Sequence, residues 1–384
     1  MNSCTSSPNS IPSASTGPKA RARHSRNRKR PLGPRASALH QPDRTDGLKR
    51  LLQGEPCVNF RHTFVASVLL AALATLAPRS AAAYTVFVSN EKENTVSVID
   101  SEKLAVLHTI KTGARPRGVI LSRDAKWLLV CASDDNRVEV YDAKTYALVK
   151  YLPSGPDPEL FAFHPSGNPL YIANEDDNLV TVVDINTDKI VSEIPVGVEP
   201  EGMGMSPDGK VLVNTSETTN MAHFIDTTTH KIFDNVLVDT RPRVAEYTND
   251  GAQIWVSSEI GGSVTVIDAA TRKSVAKIKF EIQGITPDSI QPVGVRLTKD
   301  RKWAFVALGP ANRVAIVNAQ TFEVVKYVLV GQRVWQLALT PDDAKLFTTN
   351  GTSNDVTVID VARQRAVKSI AVGRYPWGVV VAPF

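Results

Sequence analysis

Short apolar runs alternate with polar turns along most of the chain, and one run keeps returning. TVSVID, ending at Asp100, recurs as RVEVYD at Asp142, LVTVVD at Asp184, MAHFID at Asp226, SVTVID at Asp268, RVAIVN at Asn318 and DVTVID at Asp360. The spacing is 42 residues, except for one interval of 50 that carries eight extra residues within KFEIQGITPDSIQP (279–292). Seven units of 42 plus these eight give 302 residues, against the 301 from Tyr84 to Phe384. The repeat therefore accounts for everything after residue 83.

Other positions keep the same register. Thirteen residues past the anchor lie Gly113, Gly155, Gly197, Gly331 and Gly373, and sixteen past it lie Pro116, Pro158, Pro200, Pro242 and Pro376, joined by Pro292 once the insertion is subtracted. Turns such as SRDA, HPSG, SPDG and TPDD follow, and then a second alternating run such as KWLLVCAS or KVLVNTS. Each unit so holds four runs of about 4–7 residues, rich in Val, Ile, Phe and Tyr and punctuated by Gly, Pro, Asn and Asp. Four short strands every 42 residues predict a propeller blade, and seven units predict an all-β, seven-bladed propeller. The repeat opens with only three strands (TVFVSN, TVSVID, AVLHTI) and ends with WGVVVAP at 377–383. The last strand is therefore expected to pair beside Thr85–Asn90, closing the ring without an unpaired edge.

Composition changes this picture mainly at the N-terminus. The formal charge of +5 divides into +10 over residues 1–83 (13 Lys and Arg, 3 Asp and Glu) and −5 over residues 84–384 (31 and 36). A mildly acidic body lacks the electrostatic footprint of a nucleic-acid binder. The Ser-, Pro- and Arg-rich stretch 1–60, with RARHSRNRKR at 21–30, reads as a disordered basic leader. Residues 61–83 read as a signal peptide, with Arg61 and His62 as the positive flank, an apolar core from Phe64 to Ala77 and Ala81-Ala82-Ala83 as the cleavage site. Fourteen residues rise only about 21 Å as a helix, short of the ~30 Å hydrocarbon layer, so a membrane anchor is disfavoured. The mature chain is expected to begin at Tyr84 in the periplasm or outside the cell. A signal with sixty residues before it also predicts a translation start later than Met1, for example at Val58. Intact-mass measurement of the native protein is expected to give a chain starting at Tyr84; a mature N-terminus within residues 1–60 overturns the later start.

The unit LYIANEDDNLVTVVDINTDKIVSEIPVGVEPEGMGMSPDG (170–209) resembles the YVTN family of propeller repeats, and residues 84–384 as a whole resemble the PQQ-dependent catabolism-associated β-propeller proteins. WD40 repeats share the period, but their Gly-His and Trp-Asp dipeptides are missing. The resemblance implies an exported, non-enzymatic binding or scaffold protein that accompanies quinoprotein alcohol oxidation. Its partner would be a quinoprotein dehydrogenase, the cytochrome of such an enzyme, or a small ligand.

Candidate chemistry is sparse. Cys131 is the only body cysteine, and the body histidines are His108, His164, His223 and His230, so no CxxC pair, haem attachment or Cys-rich zinc site is possible there. Quinoprotein dehydrogenase propellers resemble one another in having eight blades and an Asp-x-x-Thr-Gly turn with a Trp. DAKTYALVKYL and DAATRKSVAKI have neither the Gly nor the Trp, so no cofactor and no metal are expected. The anchor aspartates read as turn-formers that hydrogen-bond their own hairpins.

The informative positions start the innermost strands, where all blades converge on one channel mouth. After the recurring Pro come Arg117, Glu159, Glu201, Arg243, Val293, Trp335 and Trp377; before it come Arg115, Asp157, Glu199, Arg241, Gln291, Arg333 and Tyr375. The six charged and aromatic residues of the first set are the ligand- or partner-binding candidates, with charged clamps on one side and an aromatic platform on the other; the structural alternative is inter-blade ion pairs with the Trp residues covering the end of the core. One step deeper, Glu246 and Arg296 are expected to form a channel-lining ion pair. The alternative is a lactonase-like hydrolase, with Glu201, Arg243 and Glu246 staging acid–base work at the mouth.

Overall fold

The computed structural model describes residues 83–384. The expected leader (1–60) and, but for Ala83, the expected signal peptide (61–83) lie outside the described residues. Twenty-eight strands form seven four-stranded antiparallel sheets, one per repeat unit. Blade 2 shows the pattern: an inner strand Pro116–Leu121, then Trp127–Ala132, Arg137–Asp142 and an outer strand Leu148–Pro153. Blade 1 takes its inner strand from the C-terminus. Pro376–Ala382 pairs antiparallel with Thr85–Asn90, placing Val380 opposite Phe87 and Ala382 opposite Thr85.

The middle strands are buried on both faces because each blade is sandwiched between its neighbours. Val86, Phe87, Val88, Ser89 and Asn90 are all fully buried, and so are Tyr171, Ile172 and Ala173 in blade 3. The outer strands are largely solvent-covered, and six of the seven bury one apolar residue, such as Ile110, Leu152, Ile194 and Ile370. The anchor aspartates form the expected turns: Asp100 Oδ1 accepts from the backbone N–H of Glu102 and of Lys103, both at 2.8 Å, and these bonds hold its carboxyl below the usual range. The insertion at 279–292 packs Phe280 and Ile290 against Trp255 and Leu308, so it thickens the contact between blades 5 and 6.

Inner strands of neighbouring blades approach so closely that glycine is required. A Cβ at Gly118 would lie 2.2 Å from the Glu159 carbonyl oxygen, and one at Gly378 would lie 2.4 Å from that of Arg117. In six of the seven blades the pairing of the inner strand shifts immediately after its first residue. Such bulges release one or two residues from the ladder and re-aim their side chains. In blades 1 to 5 and 7 the released residues are those that follow the strand's first position, at the channel mouth.

Candidate binding site at the channel mouth

The residues before the recurring Pro sit where side chains rarely go. Arg115, Asp157, Glu199, Arg241, Arg333 and Tyr375 all have φ between 50° and 59°. Left-handed backbone at a non-glycine residue costs about 1–2 kcal/mol. Each is held by an asparagine side chain of the preceding blade. Asn94 Oδ1 accepts from Arg115 N (3.0 Å), Asn136 from Asp157 N (3.0 Å), Asn178 from Glu199 N (3.1 Å) and Asn220 from Arg241 N (3.0 Å). Asn312 and Asn354 do the same for Arg333 and Tyr375, at 2.8 and 2.9 Å. Hydroxyls of the second strands support the next residue but one. Ser89 Oγ donates to the Arg117 carbonyl (2.6 Å), and Thr349 Oγ1 to that of Trp377 (2.6 Å). Asn178→Ala is expected to cost about 1–2 kcal/mol, since it removes a hydrogen bond and puts Cβ-strained Ala at φ 60°; Asn178→Gly, which tolerates that φ, should cost less. Urea unfolding of both variants checks the order.

Five of the six buttressed residues, all but Tyr375, wall a chamber of about 500 Å³. On one arc, Arg115 Nη2 lies 3.0 Å from Glu159 Oε1, its Nη1 3.1 Å from Asp157 and from Asp134, and Arg117 also binds Glu159. On the opposite arc, Arg241 Nε lies 2.7 Å from Glu217 and 3.2 Å from Glu259, while Arg243 Nη1 lies 2.7 Å from Glu201 and also contacts Glu217. Arg333 completes this arc, donating to Gln291 and reaching Glu259, both at 2.6 Å, with its guanidinium 4.0 Å from the Trp335 ring centroid.

Burial splits the carboxyls into proton holders and charge holders. Desolvation pushes Glu159 up to about 8 against the pull of Arg117, with Glu175 and Asp157 adding to the rise. Glu201 is pushed well above the ordinary range, first by desolvation, against Arg243 and with the neighbouring Glu217 reinforcing it. Desolvation acts on Glu217 too, but the hydrogen bond from Glu201 and the charges of Arg243, Arg241 and Arg117 outweigh it and hold Glu217 below its usual value. Within the Glu201–Glu217 pair a proton is therefore held by preference on Glu201.

Of the six mouth candidates, Arg117, Arg243 and Trp335 line the chamber, whereas Glu159, Glu201 and Trp377 lie beneath it at 0%, 1% and 0% exposure. The bulge turns their side chains down between the inner strands. There the carboxylates meet guanidiniums, and Trp377 packs with Val293 and Trp335. Of the two aromatic candidates, Trp377 is thus buried and Trp335 lines the chamber, where Arg115, Asp157, Glu199, Arg241 and Arg333 also stand. Glu175 and Glu259 also line the chamber, with Glu217 buried beside them; none was among the candidates. They follow the second strand at the 42-residue period (Glu91, Glu175, Glu217, Glu259), and that recurrence was available in the sequence.

Glu246 and Arg296 meet, with Oε2 and Nη1 at 3.0 Å. Desolvation raises Glu246 and Arg296 opposes the rise. They line a different chamber of about 600 Å³, beside Phe161, Met203 and Met205 at the far ends of the inner strands. The trio Glu201, Arg243 and Glu246 accordingly does not assemble, because Glu246 faces another cavity. His223 is a packing residue, accepting from Gly197 N at 3.0 Å and lying 2.5 Å from Asn235 Oδ1. His164 bonds Ser166 in its own turn, at the rim of the second chamber.

Residues 103–246 match the YNCE-like beta-propeller family model. The chain is a β-propeller. No curated protein matches it. Among solved structures it is similar to hydrazine synthase of Kuenenia stuttgartiensis, with 23% identity and TM-score 0.67 over 72% of this chain and 92% of that one. It is also similar to a putative 6-phosphogluconolactonase of Bacteroides fragilis (18%, TM-score 0.67, 79% of this chain and 99% of that one). A third similar structure is the dihydro-heme d1 dehydrogenase NirN, with 14% identity and TM-score 0.60 over 80% of this chain and 78% of that one. Likeness at these identities concerns the fold.

Proposed function

We propose that the mature chain is an exported, non-enzymatic propeller that binds a partner protein of quinoprotein alcohol oxidation through its polar mouth. One observation supports binding above all. Five side-chain-bearing residues that line the chamber, Arg115, Asp157, Glu199, Arg241 and Arg333, are kept in left-handed backbone where glycine would be cheaper, and each has its own asparagine clamp. Strain retained in this way belongs with function. The carboxylates that could act as acids or bases are tied to arginines, which makes a fixed pattern of both signs suited to recognition and steering. The assignment to alcohol oxidation rests on the family resemblance.

Affinity capture from the periplasmic extract of alcohol-grown cells tests this. The mature protein should recover a quinoprotein dehydrogenase or its cytochrome, less at high salt, and Glu199→Lys combined with Asp176→Lys, at a second carboxylate lining the chamber, should abolish recovery. Failure to recover either, together with hydrolysis of a lactone panel by the purified protein, would replace this reading with the hydrolase.

A further inference from the structure

We infer that the mouth holds a hard divalent cation of the Ca²⁺ class between Asp157, Glu159 and Glu175. One carboxylate oxygen of each lies within 4.8 Å of the other two, a span that an ion with ligands at about 2.4 Å bridges. An all-oxygen set suits Ca²⁺ rather than zinc or copper.

Two further observations point to a ligand. Glu159 is fully buried, yet its Oε2 has no hydrogen-bond partner. Arg115 and Arg117 bind Glu159 through Oε1, so the guanidiniums orient the carboxylate from behind and leave the other oxygen free, as outer-shell groups do at metal sites. The charge balance agrees. Besides Glu159, the carboxyls of Glu91, Asp134, Asp157 and Glu175 lie within 4 Å of Arg115 or Arg117, four acids against two guanidiniums. A partly desolvated excess of this kind needs a counter-charge.

The site does not depend on the proposed partner, because it is read on the isolated chain. Mature protein stripped with EGTA should give tryptophan-sensitised Tb³⁺ luminescence, since Trp377 lies under Arg117 with its ring centroid 4.9 Å from the guanidinium carbon. CaCl₂ should compete the signal away. Glu175→Gln, which leaves the buried Arg117–Glu159 pair intact, should weaken binding at least tenfold, while Glu193→Gln on the outer strand of blade 3 should not. Absence of sensitised luminescence in the wild type, failure of Ca²⁺ to compete, or full binding by Glu175→Gln would each overturn the site. Failed partner capture with intact Tb³⁺ binding would remove the functional proposal alone.

Discussion

Replacing Arg243 with methionine is expected to destabilise the propeller by about 3–5 kcal/mol, the range for removing one member of a buried ionic cluster. Arg243 is 3% exposed and is the cation shared by Glu201 and Glu217, with Glu259 3.7 Å from its Nε. Methionine fills much of the volume, so the loss is electrostatic rather than a cavity effect. The pH dependence carries the signature. Glu217 is held below its usual value, so it contributes stability above the ordinary carboxylate range, and that contribution disappears as pH falls through its folded pKa. Glu201 is raised, so its contribution is present at low pH and fades as pH rises. Without Arg243 both carboxyls favour their protons. The deficit should be large at pH 8 and shrink towards pH 4.5, where protonation removes the uncompensated charge. Urea midpoints at the two pH values measure this; an equal loss at both would mean that packing dominates. Arg243→Met combined with Glu217→Gln should recover part of the loss at pH 8, as coupled members of one network do.

The ring, its seven blades and its closing strand were legible because they depend on a repeated register. Val, Ile and Phe recur at the same phase in every unit, and a shift of one residue would expose a whole strand face. The mouth was legible only as a list of positions. Phase cannot say that the bulge at Pro116/Val119 and its counterparts turns Glu159, Glu201 and Trp377 under the surface and leaves the preceding residues to face the chamber. Nor does period alone show that the glutamates after the second strands reach the same place. Strand-internal Glu201 and loop-borne Glu217 belong to one blade and come together through the pairing that sets Pro200 opposite Ser216. Glu246 and Arg296 are 50 residues apart in sequence and meet because inner strands of neighbouring blades run side by side.

Ending the chain after Tyr375 is expected to abolish cooperative folding of the monomer. The strand Pro376–Ala382 contributes Trp377, which is fully buried, Val379 at 6% exposure, and Gly378, whose backbone lies against the Arg117 carbonyl. Its removal strips the inner partner from Thr85–Asn90, a strand whose residues Val86 to Asn90 are entirely buried. It also removes the Trp377 carbonyl that accepts from Thr349 Oγ1 and the Gly378 N–H that donates to Ser89 Oγ, and opens the channel mouth between blades 7 and 2. Burying one large side chain is worth about 1.5–3 kcal/mol, and a whole inner strand adds its ladder hydrogen bonds. The sum is comparable with the 5–15 kcal/mol that holds an entire domain. Circular dichroism should show a broad, denaturant-insensitive transition in place of a sharp one, with association through the exposed edge of blade 1. A peptide spanning residues 374–384, added in excess, should restore a sharp transition whose midpoint rises with peptide concentration, as binding to the folded state alone requires. The same peptide with Gly378→Val should not, because its side chain would occupy the space of the Arg117 backbone. A sharp, peptide-independent transition in the truncated chain would show that six complete blades hold the ring without the closing strand.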